Sequence, residues 1–438
     1  MAGTSAAICA GRLGARVLLI ENMGCLGGLG TSGLVSAFDP MANGVEMLTG
    51  GLMREIVEEM YARGFLDPYV NPDAWRKKDH CWTPFNGEGL KLLLDEYAEK
   101  AGVEVRYFTR LADADAESGT VRGIIIHNIE GFSYIPSKTF VDGTGDAALS
   151  QMCGAVCRQA GRDSPNIMAC TMPSVYANVD FDSYFKMGRD IDKWAEMIEE
   201  DYHAGLLSQC DRHLPGLSRI GKNIAYLNGG HLYRLDATRC VDLSEGMMNG
   251  RKIAQEYLSF YRRRFDGCEN AELVQTGAIM GVRESRRILG EYELKREDYF
   301  ARRHFHDQIG LSNKHIDIHP YDCSVEEWER FRYEAFGALR PREGESFGIP
   351  YGILVPKGFR NLWTAGRCAS TDVEVQGSIR VMPTSSMMGQ AAGTAAVQSI
   401  RTEQAACELD TEELVLSLRR QGANLPQKSL SRKMSRNT

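Results

Sequence analysis

The sequence predicts an α/β fold. A Rossmann-like, dinucleotide-binding parallel sheet is entered through a β-α-β unit and closed by a strand-helix return near the C-terminus, with a mixed α+β substrate domain inserted between them. Three observations predict it. Residues 1–21, MAGTSAAICAGRLGARVLLIE, place Gly3 before a small-residue helix, a turn at Gly14, an apolar strand over 16–20 and the acid Glu21 at the strand end. In the G-x-G-x-x-G fingerprint the last glycine allows tight helix–strand packing, and an acid about 20 residues on takes the ribose hydroxyls. Residues 361–400 start as a short apolar run, stop at Gly366-Arg367, and continue as a charge-free segment from Val381 that opens on Pro383. Proline suits the first turn of a helix, and a charge-free helix of that length has to be buried. Between these blocks, from about Arg158 to Glu345, the chain turns to longer and more charged segments.

Composition sets the outer bounds. The 438 residues are 43% hydrophobic and 25% charged, with a net charge of −7, as in a soluble globular chain long enough for two domains. The acidic balance argues against nucleic acid as a partner. Hydroxyls and an amide interrupt the apolar run of the C-terminal helix, so it is too short to span a membrane. Twelve cysteines are scattered without a C-x-x-C pair, the closest being Cys153 and Cys157. That usage reads as cytoplasmic with reduced thiols, and no metal-ligand set is read from the spacing.

Taken in order, residues 22–34 carry five glycines directly after Glu21, a loop whose backbone N–H groups can meet phosphate or ribose. Residues 50–61 and 90–101 have helical periods, the second ended by Gly102, with a turn-rich surface excursion over 64–84 between them. A strand at 103–108 leads to a meander, 121–127 and 133–135, with Gly123 and Gly131 at its turns. The strand 138–142 runs into VDGTGDAALS, where Asp142, Gly143, Gly145 and Asp146 make a close-approach turn and Asp146 caps the next helix. Residues 180–201 are polar and helical, and 244–265 form a long amphipathic helix whose basic run 262–264 is a solvated face. Gly389 and Gly393, four apart, leave one face of the last helix bare for a strand or a ligand. The division expected is 1–157 for the first part of the nucleotide domain, 158–346 for the substrate domain, 347–405 for the return, and 406–438 for a helix and a frayed basic tail.

Several blocks together resemble the FAD-dependent oxidoreductase family related in fold to the glutathione reductase and fumarate reductase flavoproteins. They are GTSAAICAGRLGARVLLIE with LGGLGTSG, VDGTGDAALSQMCGA, GVRESRRILGEY, IDIH, and IPYGILVPKGFRNLWTAGRCASTDVEVQGSIRVMPTSSMMGQAAGTAA, in family order over nearly the whole chain. The resemblance implies noncovalent FAD held by Gly3, Glu21, Gly27, Gly28, Asp142, Gly143, Gly145, Asp146, Gly366 and Arg367. To these it adds the helix from Pro383 with its approach: Ser378, Arg380, Met382 and Gly389. The family's first strand and first two glycines would stand ahead of Met1, so the sequence reads as an N-terminally truncated member. A chain lacking them is expected to be poorly soluble or flavin-free.

For the chemistry, the N-terminus of the Pro383 helix is placed at the flavin pyrimidine edge, where reduction puts negative charge. Arg380 adds to that field or pairs with Glu374. The catalytic candidates are Arg283, Arg286, Arg287 and His319. Two of the arginines are equally ion pairs with Glu284 and Glu291, and about one is expected to reach substrate. His319, beside Pro320, suits proton transfer coupled to hydride transfer, or is a hydrogen-bonded loop residue. Three functions stay open: hydride transfer between flavin N5 and a small organic substrate (an alcohol, a carbohydrate derivative or an activated C=C), a tRNA-modifying flavoprotein, and a cofactor-free binding scaffold. Beyond a small-molecule substrate, an electron acceptor or donor is implied but not identified, and no second G-x-G-x-x-G points to NAD(P)H.

Overall fold

The computed structural model describes residues 1–78, 81–336 and 340–426. The tail expected to fray lies, from residue 427 on, outside the described residues. Small side chains decide the centre of the molecule. The opening helix Ala2–Arg12 lies against the buried helix Met382–Thr402, and the contact is backbone to backbone. A Cβ on Gly389 would stand 2.1 Å from the Ala2 carbonyl oxygen, and one on Gly393 would stand 2.2 Å from that of Ala6. The bare face therefore receives a helix, not the strand or ligand the sequence suggested. Glycine at both positions lets the two axes approach closer than any side chain would allow. Ser5 and Ser386 share a hydrogen bond of 2.7 Å across the seam.

The parallel sheet is less continuous than expected. Leu18–Ile20 pairs in parallel with Glu104–Arg106, and Phe140–Asp142 pairs in parallel with Leu362–Thr364. Among the described residues no ladder joins the two pairs. The opening helix packs on both Leu18–Ile20 and Phe140–Asp142 and joins them instead. Its Gly3 abuts Gly143 so closely that a Cβ on Gly143 would stand 2.5 Å from the Gly3 Cα. Between the pairs runs an antiparallel meander of Arg110–Glu117, Thr120–Asn128 and Gly131–Pro136. Its first turn is made by Gly119, at φ +76°, and not by Gly123. Gly123 sits inside the middle strand because the Tyr134 ring lies over it, 2.4 Å from where a Cβ would be.

A second apolar core forms within residues 170–282, where the strands Ser218–Gly221, Ile224–Leu227, Ser174–Ala177 and Glu272–Thr276 make one antiparallel sheet in that order. The long helix Cys240–Arg264 packs on it. Its basic end is exposed at Arg262 and Arg263, as expected, and is also paired. Arg263 and Arg264 both bind Asp201, at 2.6 Å each, and Arg262 donates to the Ala271 carbonyl at 2.7 Å. Asp201, at the end of Ile191–His203, is buried, so unpaired it would carry a desolvation penalty that the two guanidiniums offset. Ile309, Ile316 and Ile318 belong instead to the core of the C-terminal return, with Phe347, Trp363, Val375 and Met388. The segment around His319 is thus anchored beside the buried helix. The excursion over 64–84 carries a short helix, Pro72–Lys77, whose Trp75 is buried. All twelve cysteines are free thiols, and no helix among the described residues is long and apolar enough to cross a membrane.

Candidate functional site

The side that the sequence assigned to the cofactor starts from backbone geometry. Gly27 and Gly28 have φ of +103° and +60°, so the loop after Glu21 doubles back in a conformation that L side chains rarely adopt. Gly28 comes to rest beside Met1, at the N-terminus of the opening helix. Two residues on, Gly30 meets Met382, whose sulfur would stand 2.6 Å from an added Cβ. Glu21 accepts the Met23 N–H at 2.8 Å, and burial pushes its pKa up. Gly3, Glu21, Gly27, Gly28 and Met382 are therefore gathered around two helix N-termini. Neither Met1 nor Val381, the N-cap residues, contributes a side-chain cap, so the partial positive charge at each end is left for an anion.

Other residues assigned to FAD are engaged with the protein. Asp142 accepts from the Thr144 N–H and hydroxyl at 3.0 and 2.7 Å and from the Ser150 N–H and hydroxyl at 2.9 Å each, closing its own turn. Asp146 does not cap the next helix, whose N-cap is Ala147. It accepts instead from Ser285 at 2.6 Å and from Arg367. Arg367 also donates to the carbonyls of Gly145 and Val282, at 2.7 and 3.0 Å, pinning the 142–146 turn to the arginine segment. Gly366, at φ +96°, turns the chain against Ala2. Ser378 donates to the Lys314 carbonyl at 2.6 Å.

Arg283 and Arg287 are both buried, and it is their partners that split the arginine cluster. Arg287 is fully buried and pairs with Asp163, donates to the Thr371 carbonyl at 3.1 Å and stands 3.8 Å from Glu284. Glu291 has no arginine of the cluster on it and accepts from the Gly358 N–H at 3.4 Å. Arg286 lies in the strand Arg286–Ile288, opposite Gln159. Arg283 is the member that turns to the site. It donates to the Ala169 carbonyl at 2.7 Å, and burial, then the neighbouring Arg380, pushes its pKa down to about 10. Arg380 does not pair with Glu374, which Arg296 holds at 2.6 Å. It binds Asp317, at 2.9 Å to the carbonyl and 3.2 Å to the carboxylate.

His319 is buried at the end of a chain of hydrogen bonds. Its Nδ1 is 2.8 Å from His231 Nε2, and His231 Nδ1 is 3.0 Å from Asp211. Asp211 also accepts the His231 N–H at 2.9 Å and the Tyr233 hydroxyl at 3.1 Å. Burial alone would raise this carboxyl, but His231 beside it holds it well below its ordinary range. The ionised Asp211 accepts only, so the His231 Nδ1 facing it carries a proton, and a neutral His231 has its lone pair at Nε2. In the tautomer where His319 donates from Nδ1 to that lone pair, its Nε2 is free to take a proton 3.6 Å from Asp317. Burial, then Arg283, keeps the His319 imidazole well below the usual histidine range. Lys314 and His319 hold Asp317 well below the carboxylate range against its burial. The arrangement can accept a proton at Nε2 and stabilise it against a carboxylate. Of this chain the sequence suggested only His319. Asp211, in a loop, and His231, in the short strand His231–Leu232, lie more than eighty residues away, and no local spacing marks them.

Residues 1–418 match the FAD dependent oxidoreductase family. No curated protein matches by sequence. Among solved structures, the chain is similar to a geranylgeranyl bacteriochlorophyll reductase-like protein from Thermoplasma acidophilum, at 11% identity and a TM-score of 0.46, over 95% of this chain and 79% of that one. It is also similar to p-nitrophenol 4-monooxygenase from Pseudomonas putida DLL-E4, at 9% identity and a TM-score of 0.44, over 95% and 78%. A flavin-dependent brominase, Bmp2, is similar at 15% identity and a TM-score of 0.41, over 96% and 80%. The match over nearly the whole chain assigns it: the protein belongs to the FAD dependent oxidoreductase family and is an FAD-dependent oxidoreductase.

Proposed function

We propose that the protein removes a hydride and a proton from a hydroxyl-bearing carbon of a small polar substrate, an alcohol or a carbohydrate derivative. With reduced flavin as hydride donor and an activated C=C as substrate, the same groups would instead deliver the proton. FAD fits the cradle of positive-φ glycines, uncapped helix ends and the Glu21 carboxylate, a site of the glutathione reductase and fumarate reductase type, and when bound it supplies the two-electron acceptor. The protein's own residues handle charge and the proton. His319 Nε2 takes the hydroxyl proton, and the new imidazolium is stabilised by Asp317 on one side and by the His231–Asp211 chain on the other. Arg283 stands beside the same histidine and Arg380 is held on Asp317, so two guanidiniums flank the site where an oxyanion would form.

The observation that carries this reading is the continuous chain Asp211–His231–His319. The test is anaerobic flavin bleaching by a panel of alcohols and sugar derivatives, with wild type and His319→Gln compared on any substrate that reduces the wild type. The variant should keep its FAD and reduce it about 10²–10⁴-fold more slowly. Equal bleaching rates would remove His319 from the reaction.

A further inference from the structure

His213 stands next to the proton relay: its backbone N–H donates to Asp211 at 3.3 Å, while its ring takes no part. Its ring completes a triangle with those of His231 and His319, with centroids 5.0 Å apart for His213–His231, 5.1 Å for His213–His319 and 5.0 Å for His231–His319. One ligating nitrogen from each lies within 4.8 Å of the other two. Three imidazoles on a tetrahedral ion, with metal–nitrogen bonds of about 2.0–2.1 Å, would set their ring centroids about 5.2 Å apart. The centroids are already at that spacing, and binding would part His231 Nε2 and His319 Nδ1 from 2.8 Å to about 3.3 Å. Two further observations point to a ligand. His213 Nδ1 is buried and has no hydrogen-bond partner among the described residues, an uncommon state for a buried polar atom. His231 hands its Nδ1–H to the Asp211 carboxylate, as metal-bound histidines commonly do, leaving Nε2 for an ion.

We propose that His213, His231 and His319 bind one divalent transition-metal ion, with a fourth ligand supplied by solvent. An all-imidazole donor set selects the zinc, cobalt and nickel type over magnesium or calcium. The ion takes His231 Nε2 and His319 Nδ1, the two nitrogens that otherwise bond to each other. Metal and relay therefore exclude one another, and the bound ion acts as a brake on proton transfer. The site goes beyond the redox reading and does not need it.

The test uses the FAD-loaded protein, stripped with a chelator and titrated with Zn2+ or Co2+ in the absence of substrate. Wild type should retain one ion per chain after gel filtration, show the visible absorption of tetrahedral Co2+, and melt at a higher temperature with Zn2+ than without. Asp211→Asn should bind about 10–100-fold more weakly. His213→Phe keeps a ring against Phe331, which lies 4.8 Å away, and removes both nitrogens. Its FAD content and metal-free melting temperature show that it is folded, and it should retain no stoichiometric ion. The proposal is overturned if wild type takes up no more metal than His213→Phe, or if Zn2+ leaves the wild-type melting temperature unmoved. A failed metal titration leaves the flavin-bleaching result on His319 standing, so the two readings fall separately.

Discussion

Arg287 shows how burial reassigns a residue. In the sequence it stands in a dense basic cluster and is as good a substrate contact as its neighbours. In the structure its guanidinium is closed off from solvent and bound to Asp163 and to the Thr371 carbonyl. Breaking a buried pair by removing one partner costs about 3–5 kcal/mol, because the other charge is left uncompensated. Arg287→Ala should therefore lose stability in urea denaturation and FAD content together. A variant that melts like wild type but no longer turns over would return Arg287 to the substrate side. Arg283 is expected to behave the other way. Its partners are a carbonyl and the charges around His319, so Arg283→Met should retain FAD and slow flavin reduction.

At the scale of elements, the seam between Ala2–Arg12 and Met382–Thr402 positions the cradle proposed for the cofactor. Even a methyl group at position 389 would have to displace the Ala2 carbonyl, and overpacking of this kind costs about 1–3 kcal/mol or more. Gly389→Ala should lower both the melting temperature and the FAD retained per chain. Unchanged flavin occupancy would mean the seam can open without moving the cradle. The seam was half legible. The four-residue spacing of Gly389 and Gly393 announces a close contact, but spacing cannot say with what, and a helix took the place expected for a strand or ligand. Meander and helices followed from periodicity because their apolar faces are local. The single parallel sheet did not, because strand pairing depends on which distant segments become neighbours. Gly123 was misplaced for a similar reason: a glycine under a cross-strand tyrosine looks, in sequence, like a glycine in a turn.

On the scale of the whole molecule, the site is assembled from pieces with no sequence proximity. The glycine loop, the turn after Phe140–Asp142, the segment from Gln308 to His319 and the buried helix all meet around one place, and Lys314 binds Asp39 across it at 2.7 Å. Residue types could be named in advance, but the Asp211–His231–His319 chain could not, since it exists only after two separate cores have docked. FAD should tie these pieces together. Ligand at about 100 times its dissociation constant adds about 2.7 kcal/mol to stability. Removing it should lower the melting temperature and release hydrogen-exchange protection first in residues 2–8, 26–33 and 382–389, ahead of the sheet over 174–276. Uniform loss of protection would instead mean that the cradle and the second core unfold as one unit.

The seam also sets a timetable for synthesis. Ser5 and Ser386 are 381 residues apart, so the opening helix leaves the ribosome long before its partner exists. At about 5–20 residues per second, that interval is roughly 20–80 s. Through it a helix of alanine, serine and glycine has no bare glycine face to lie on, and isolated helices of this length are marginal in water. Nascent chains arrested before residue 380 should therefore leave residues 2–12 open to protease while the sheet over 174–276 is already protected. FAD capture becomes one of the last events in the life of the new chain.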